Sequence, residues 1–74
     1  MLVYSPSEGK YYDVKEVTSS TDFEISNFER KLADQLAKGR IPVIDTRYAL
    51  QSSIDQIKNV VAQRGWQNDV VWYP

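Results

Sequence analysis

The stretch IPVID, residues 41–45, decides how this chain folds. Five residues, four of them apolar or proline, stand between Lys38-Gly39-Arg40 and Thr46-Arg47. A run that short, ended by turn and charge signals, reads as a strand. Being largely apolar, it is expected to have its centre buried on both sides. Pro42 has no N–H to give a ladder, so it must stand at the strand's start or beside an open position.

A helical pattern precedes this strand and another follows it. Upstream, Ile25, Phe28, Leu32 and Leu36 recur at intervals of three and four, which is one stripe of an α-helix. Thr21 and Glu24 have the spacing of a capping box, and Asp22 and Glu24 suit the positive end of the helix. Asp34 precedes Lys38 by one helical turn, the favourable order for a surface pair. Gly39 then supplies a left-handed end. Downstream, Asp45 or Thr46 is expected to cap a second helix over residues 46–64. Its stripe is Leu50, Ile54, Ile57 and Val61, widened by Ala49, Val60 and Tyr48, with Ile54 and Ile57 buried. Arg47, Gln51, Asp55 and Lys58 fall on its wet side. Arg64-Gly65 closes it as Lys38-Gly39 closes the first.

Farther out, LVY at 2–4 and YYDVKEV at 11–17 read as two strands around the turn SPSEGK. Their alternation is imperfect. Tyr12, Val14 and Glu16 share one face, while Tyr11, Asp13, Lys15 and Val17 share the other. Either one face is not cleanly buried or a bulge shifts the register near Val17. At the other end, VVWYP at 70–74 reads as a last strand, placed at a sheet edge or in its centre. The order is therefore β-β-α-β-α-β. It predicts one small α/β (α+β) domain over residues 1–74, a compact two-layer sandwich with two helices on a mixed sheet of three or four strands.

Composition narrows the chemistry. A chain of 74 residues has a thin core. With no cysteine and no histidine, neither a disulfide nor a Cys/His zinc site can reinforce it. A well-filled core, tight caps or a partner chain must do so, which favours a homodimer. The same absences exclude Ser-His-Asp and Cys-His catalysis and the familiar zinc and copper sites. The phosphate-binding and dinucleotide-binding glycine patterns are missing too, and the three glycines stand alone. No enzymatic activity, no metal and no cofactor are expected. The one polar junction of interest is DTRY at 45–48. There Arg47 and the backbone at a helix start could hold an anion, or Asp45 could simply cap the helix.

Nine basic residues against ten acidic ones leave a net charge of −1. Between residues 30 and 64, however, seven bases (Arg30, Lys31, Lys38, Arg40, Arg47, Lys58, Arg64) meet three acids (Asp34, Asp45, Asp55). Arg40, Arg47, Gln51, Lys58 and Asn59 are therefore the candidates for contacts to an anion or a nucleic acid. Five Tyr, two Trp and two Phe are many rings for so small a body. Tyr11, Trp66, Trp72 and Tyr73 are the candidates for a protein interface, against the alternative that they only cover a thin core. No stretch is apolar enough for a membrane span, and no secretory signal is evident, so a cytoplasmic location is expected. The functional expectation is a small non-enzymatic protein–protein interaction or regulatory module, self-associating through an aromatic-rich strand or sheet edge. The alternative is a weakly basic-faced nucleic-acid-binding regulator using the helical layer.

Overall fold

The computed structural model describes residues 1–19 and 23–74. Its elements run β1 (Leu2–Ser5), β2 (Lys10–Glu16), α1 (Ile25–Ala37), β3 (Ile41–Asp45), α2 (Gln51–Arg64) and β4 (Val71–Tyr73). The four strands form one sheet in the order β1-β2-β3-β4. β1 is antiparallel to β2, and β2, β3 and β4 are mutually parallel. This is the expected two-layer α/β sandwich with a mixed sheet. Among the described residues no helix is long and apolar enough to cross a membrane.

The hairpin closes through Pro6 to Gly9, with the N–H groups of Glu8 and Gly9 both donating to the Ser5 carbonyl. β2 then pairs without interruption from Tyr12↔Ile41 to Glu16↔Asp45, so no bulge shifts its register. Two parallel crossovers follow, each stepping one strand the same way across the sheet. Right-handed crossovers of that kind place both helices on one face. The core agrees. Phe28 and Leu32 of α1 and Ile57 and Val61 of α2 join Val17, Ile44 and Val70 in a single buried cluster.

IPVID itself departs from the sequence reading. Ile44 and Pro42 are buried, but Val43 is only half-buried. The strand's centre is covered on one side, because both helices lie on the Ile44 side. Pro42 is tolerated inside the sheet because β4 pairs only from Val43 onward.

The helix boundaries also differ. α1 begins at Ile25 after an extended Glu24 that makes no side-chain cap; the Glu24 carboxylate accepts from Asn27 Nδ2 at 2.8 Å instead. Thr21 and Asp22 of the expected capping box lie outside the described residues. α2 begins at Gln51, after an extended Leu50, and neither Asp45 nor Thr46 caps it. The Asp45 carboxylate is taken by Arg47, which holds 46–48 in a turn, with Ala49 N–H donating to the Thr46 carbonyl. The helix ends match expectation. Gly39 and Gly65 have φ of 73° and 71°, the left-handed conformation that costs a residue with a Cβ about 1–2 kcal/mol. Asp34 and Lys38 pair at 3.0 Å. The apolar stripes are narrower than predicted: Ile25, Leu36 and Ile54 are half-buried and Leu50 is exposed, whereas Gln35 and Ser53 are buried.

Candidate interaction surface

Side chains alternate along a strand, and residues paired across a ladder share a face. The register therefore sorts every strand residue. Val17, Ile44, Trp72 and Val70 lie toward the helices. Asp13 and Lys15 lie on that face too, and they are satisfied there: the buried Asp13 carboxylate is 3.3 Å from Lys15 Nζ and 3.6 Å from the N-terminal amine.

The opposite face carries a second set. Met1 and Val14 exchange both backbone hydrogen bonds, at 2.7 and 3.0 Å, and Val14 is paired with Val43 and Val43 with Val71. Met1, just before β1, thus joins Val14, Val43 and Val71 in one apolar row across the sheet. A parallel row joins Val3, Tyr12 and Ile41. Tyr73 follows beyond Val71 on β4. Among the described residues no element packs on this face. Met1 is 79% exposed, Tyr73 50%, Val3 44% and Val71 42%. Tyr12, Val14, Ile41 and Val43 are half-buried.

Polar groups bound the two ends of this apolar surface. At one end, Tyr12 donates its hydroxyl to Glu8, 2.9 Å from Oε2. The bond to that carboxylate pushes the Tyr12 phenol above its ordinary range. Lys10 lies beside it, opposite Ser5. At the other end come Glu16, Asp45 and Tyr73 in one row. Asp45 is buried, and Arg47 clasps it: Nε donates to Oδ1 at 3.0 Å, Nη2 to Oδ2 at 2.8 Å, and the Arg47 backbone N–H to Oδ1 at 3.1 Å. These bonds hold the Asp45 carboxyl below the usual range and the Arg47 guanidinium above its own. The guanidinium carbon sits 5.4 Å from the ring centres of both Tyr48 and Tyr73. Thr46 adds two bonds to the Tyr73 carbonyl, from N at 2.7 Å and Oγ1 at 3.0 Å. The DTRY segment is thus a clasp that ties the end of β3 to the end of β4. Arg47 commits one edge of its fork to Asp45 and stands before α2 rather than on its first turn.

The residues singled out from sequence scatter over the molecule. Of the four aromatic candidates, Tyr73 lies on the uncovered face. Trp72 and Trp66 are half-buried against the core, with Lys58 Nζ 5.8 Å from the Trp72 ring and the Arg64 guanidinium 5.0 Å from Trp66. Tyr11 packs against Tyr4 with ring centres 4.7 Å apart and planes tilted by 43°, on the helix side but at the β1 margin, where both rings stay exposed. Among the polar candidates, Arg40 and Arg47 flank opposite ends of β3, and Arg40 Nη1 donates to Gln35 Oε1 at 3.2 Å. Gln51, Lys58 and Asn59 are exposed on α2, where Gln51 Nε2 donates to Asp55 Oδ1 at 2.9 Å. Among the described residues no group of acidic side chains is arranged to hold a metal ion.

Sequence reading missed Met1, Val3, Tyr12, Val14, Ile41, Val43 and Val71 as a surface. Each is unremarkable alone, and only strand order and register line them up. Neither the family models nor the curated proteins nor the solved structures gave a match to this chain.

Proposed function

We propose that this chain is a small non-enzymatic interaction module that meets another protein surface through the uncovered face of its sheet, and that it self-associates there. The observation that carries this reading is the apolar row Met1, Val14, Val43 and Val71, flanked by Val3, Tyr12, Ile41 and Tyr73. Exposed apolar surface that is continuous and rimmed by polar groups marks a contact site. Scattered single residues would not. Tyr73 supplies an aromatic ring to this surface, and the Arg47 fork stacked on it adds a residue type enriched at interfaces.

The test is sedimentation equilibrium from about 10 μM to about 1 mM. The intact chain is compared with Val71→Lys and Val3→Lys, whose positions are already exposed. Association that falls away in both folded variants supports the reading. Association unchanged by either moves the contact elsewhere, to a strand edge or the helical layer, and overturns it. The rival reading, nucleic-acid binding through the helical layer, draws on Lys15, Arg30 and Lys31 lining one shallow groove with Asp34 and Gln35. Binding there would fall steeply with salt, whereas an apolar contact would not.

A further inference from the structure

We infer that the surface which covers the open face is a second copy of this chain, stacked sheet to sheet with β2 antiparallel to its own copy. This rests on the reading above and adds the partner and its register.

The charges along β2 carry the inference. On the open face that strand reads Lys10, Tyr12, Val14, Glu16: a cation, two large contact residues and an anion, in that order. The other charges of the face are already engaged within the chain. Glu8 accepts from the Tyr12 hydroxyl, and Asp45 is clasped by Arg47. Among the described residues neither Lys10 nor Glu16 has a hydrogen bond or ion pair from its side chain within its own chain.

Two copies packed face to face are related by a two-fold axis in the plane between them. If the axis crosses the strands between Tyr12 and Val14, each strand lies antiparallel on its own copy. The row Val3, Tyr12 and Ile41 then meets the partner's row of Met1, Val14, Val43 and Val71. Lys10 meets the partner's Glu16, twice per dimer by symmetry. If the axis instead runs along the strands, β2 lies over the partner's β3: Glu16 then faces the partner's Asp45, already clasped by Arg47, and Lys10 gains no acid. Charge therefore selects the first arrangement, and sheets stacked within about 30° of alignment accommodate it.

Size sets the strength. Four strands span about 19 Å and five residues about 16 Å, a flat footprint of about 300 Å² a side. Even with side-chain relief the total falls below the roughly 1,200 Å² of stable complexes, so the dimer is weak and exchanging.

The test is a charge exchange read by sedimentation equilibrium at low salt, where rim pairs are least screened. Lys10→Glu alone puts two acids at each contact, and Glu16→Lys alone puts two bases there. Each is expected to weaken self-association about tenfold. An equimolar mixture of the two variants restores opposite charges at both contacts and should recover the dimer as a heterodimer. So should the double variant Lys10→Glu/Glu16→Lys. If association depends on Val71 and Val3 but ignores the charge exchange, the register is overturned while the docking face stands. If association ignores Val71→Lys and Val3→Lys, the docking face itself is wrong. An intact chain that stays monomeric at about 1 mM overturns the second copy as partner together with the self-association it deepens.

Discussion

One sheet here has two faces of similar composition and different fates. On the helix side Val17, Ile44 and Val70 are buried, with Ile44 at 0% exposure. On the other side Val3 and Val71 stay about two-fifths exposed at 44% and 42%. The side chains do not explain the contrast, since valine and isoleucine serve both. Topology does. Two crossovers stepping in one direction put both helices on one face, and among the described residues no element forms a third layer. An apolar residue in a strand is thus a core residue only if something lies over it.

The largest effect should come from testing that contrast inside IPVID. Ile44 and Val43 are neighbours on one strand and point to opposite faces. Truncating Ile44 to Ala leaves a hole in the buried cluster and should cost about 2–5 kcal/mol in denaturant melts, a large part of a small domain's stability. Val43→Ala should cost less than about 1.5 kcal/mol, because a half-buried valine loses a smaller transfer term and leaves no closed cavity. Equal losses at the two positions in dilute solution would erase the distinction between the faces.

A second comparison sets the two ends of the open face against each other by pH. Asp45 is held ionised by its bonds from Arg47, so its folded-state pKa lies below its unfolded value. Stability from the clasp is then fully present above the unfolded carboxyl range, about pH 4, and is lost as pH falls through the folded value. The intact chain should show an acid limb in its melting temperature below about pH 4 that Asp45→Asn lacks. An identical acid limb in the variant would mean that the clasp does not couple to folding.

How much of this was legible beforehand follows from which interactions are local. The existence and order of six elements came from periodicity and glycine placement, which act within a few residues. The start of α2 did not, because Asp45 looked like a cap while its carboxylate was engaged by Arg47 two residues on. Gln35 and Ser53 were hidden for a different reason. Helical spacing marks positions, yet a polar residue on the buried side is read as surface. The open face was the least legible feature. Val14, Val43 and Val71 come from three separate strands and Met1 from just before a fourth, and they share a row only through long-range pairing. The aromatic candidates drew attention by size, yet Trp66 and Trp72 turned toward the core.

The smallest expected effect lies at the other end of the same face, where Tyr12 meets Glu8. The Glu8 carboxylate accepts the phenolic hydrogen and sets a negative charge beside it, so the protonated phenol is favoured in the folded state and its pKa is raised. A group whose folded pKa is raised contributes stability that is fully present below the unfolded value, about 10, and lost as pH rises through the folded one. Glu8→Gln removes the charge and keeps an acceptor. Ultraviolet titration of the five tyrosines should then show one of them moving back toward the ordinary range, while the melting temperature near pH 7 shifts little. The same variant sharpens the comparison of faces. Tyr12 lies on the uncovered side, and the proposed stacking would seal its ring against the partner's Val14. The shift caused by Glu8→Gln should therefore grow with protein concentration, as water leaves the pair and the local dielectric falls. A Tyr12 titration that is independent of concentration, in a protein that sediments as a dimer, would place the contact away from this end of the sheet.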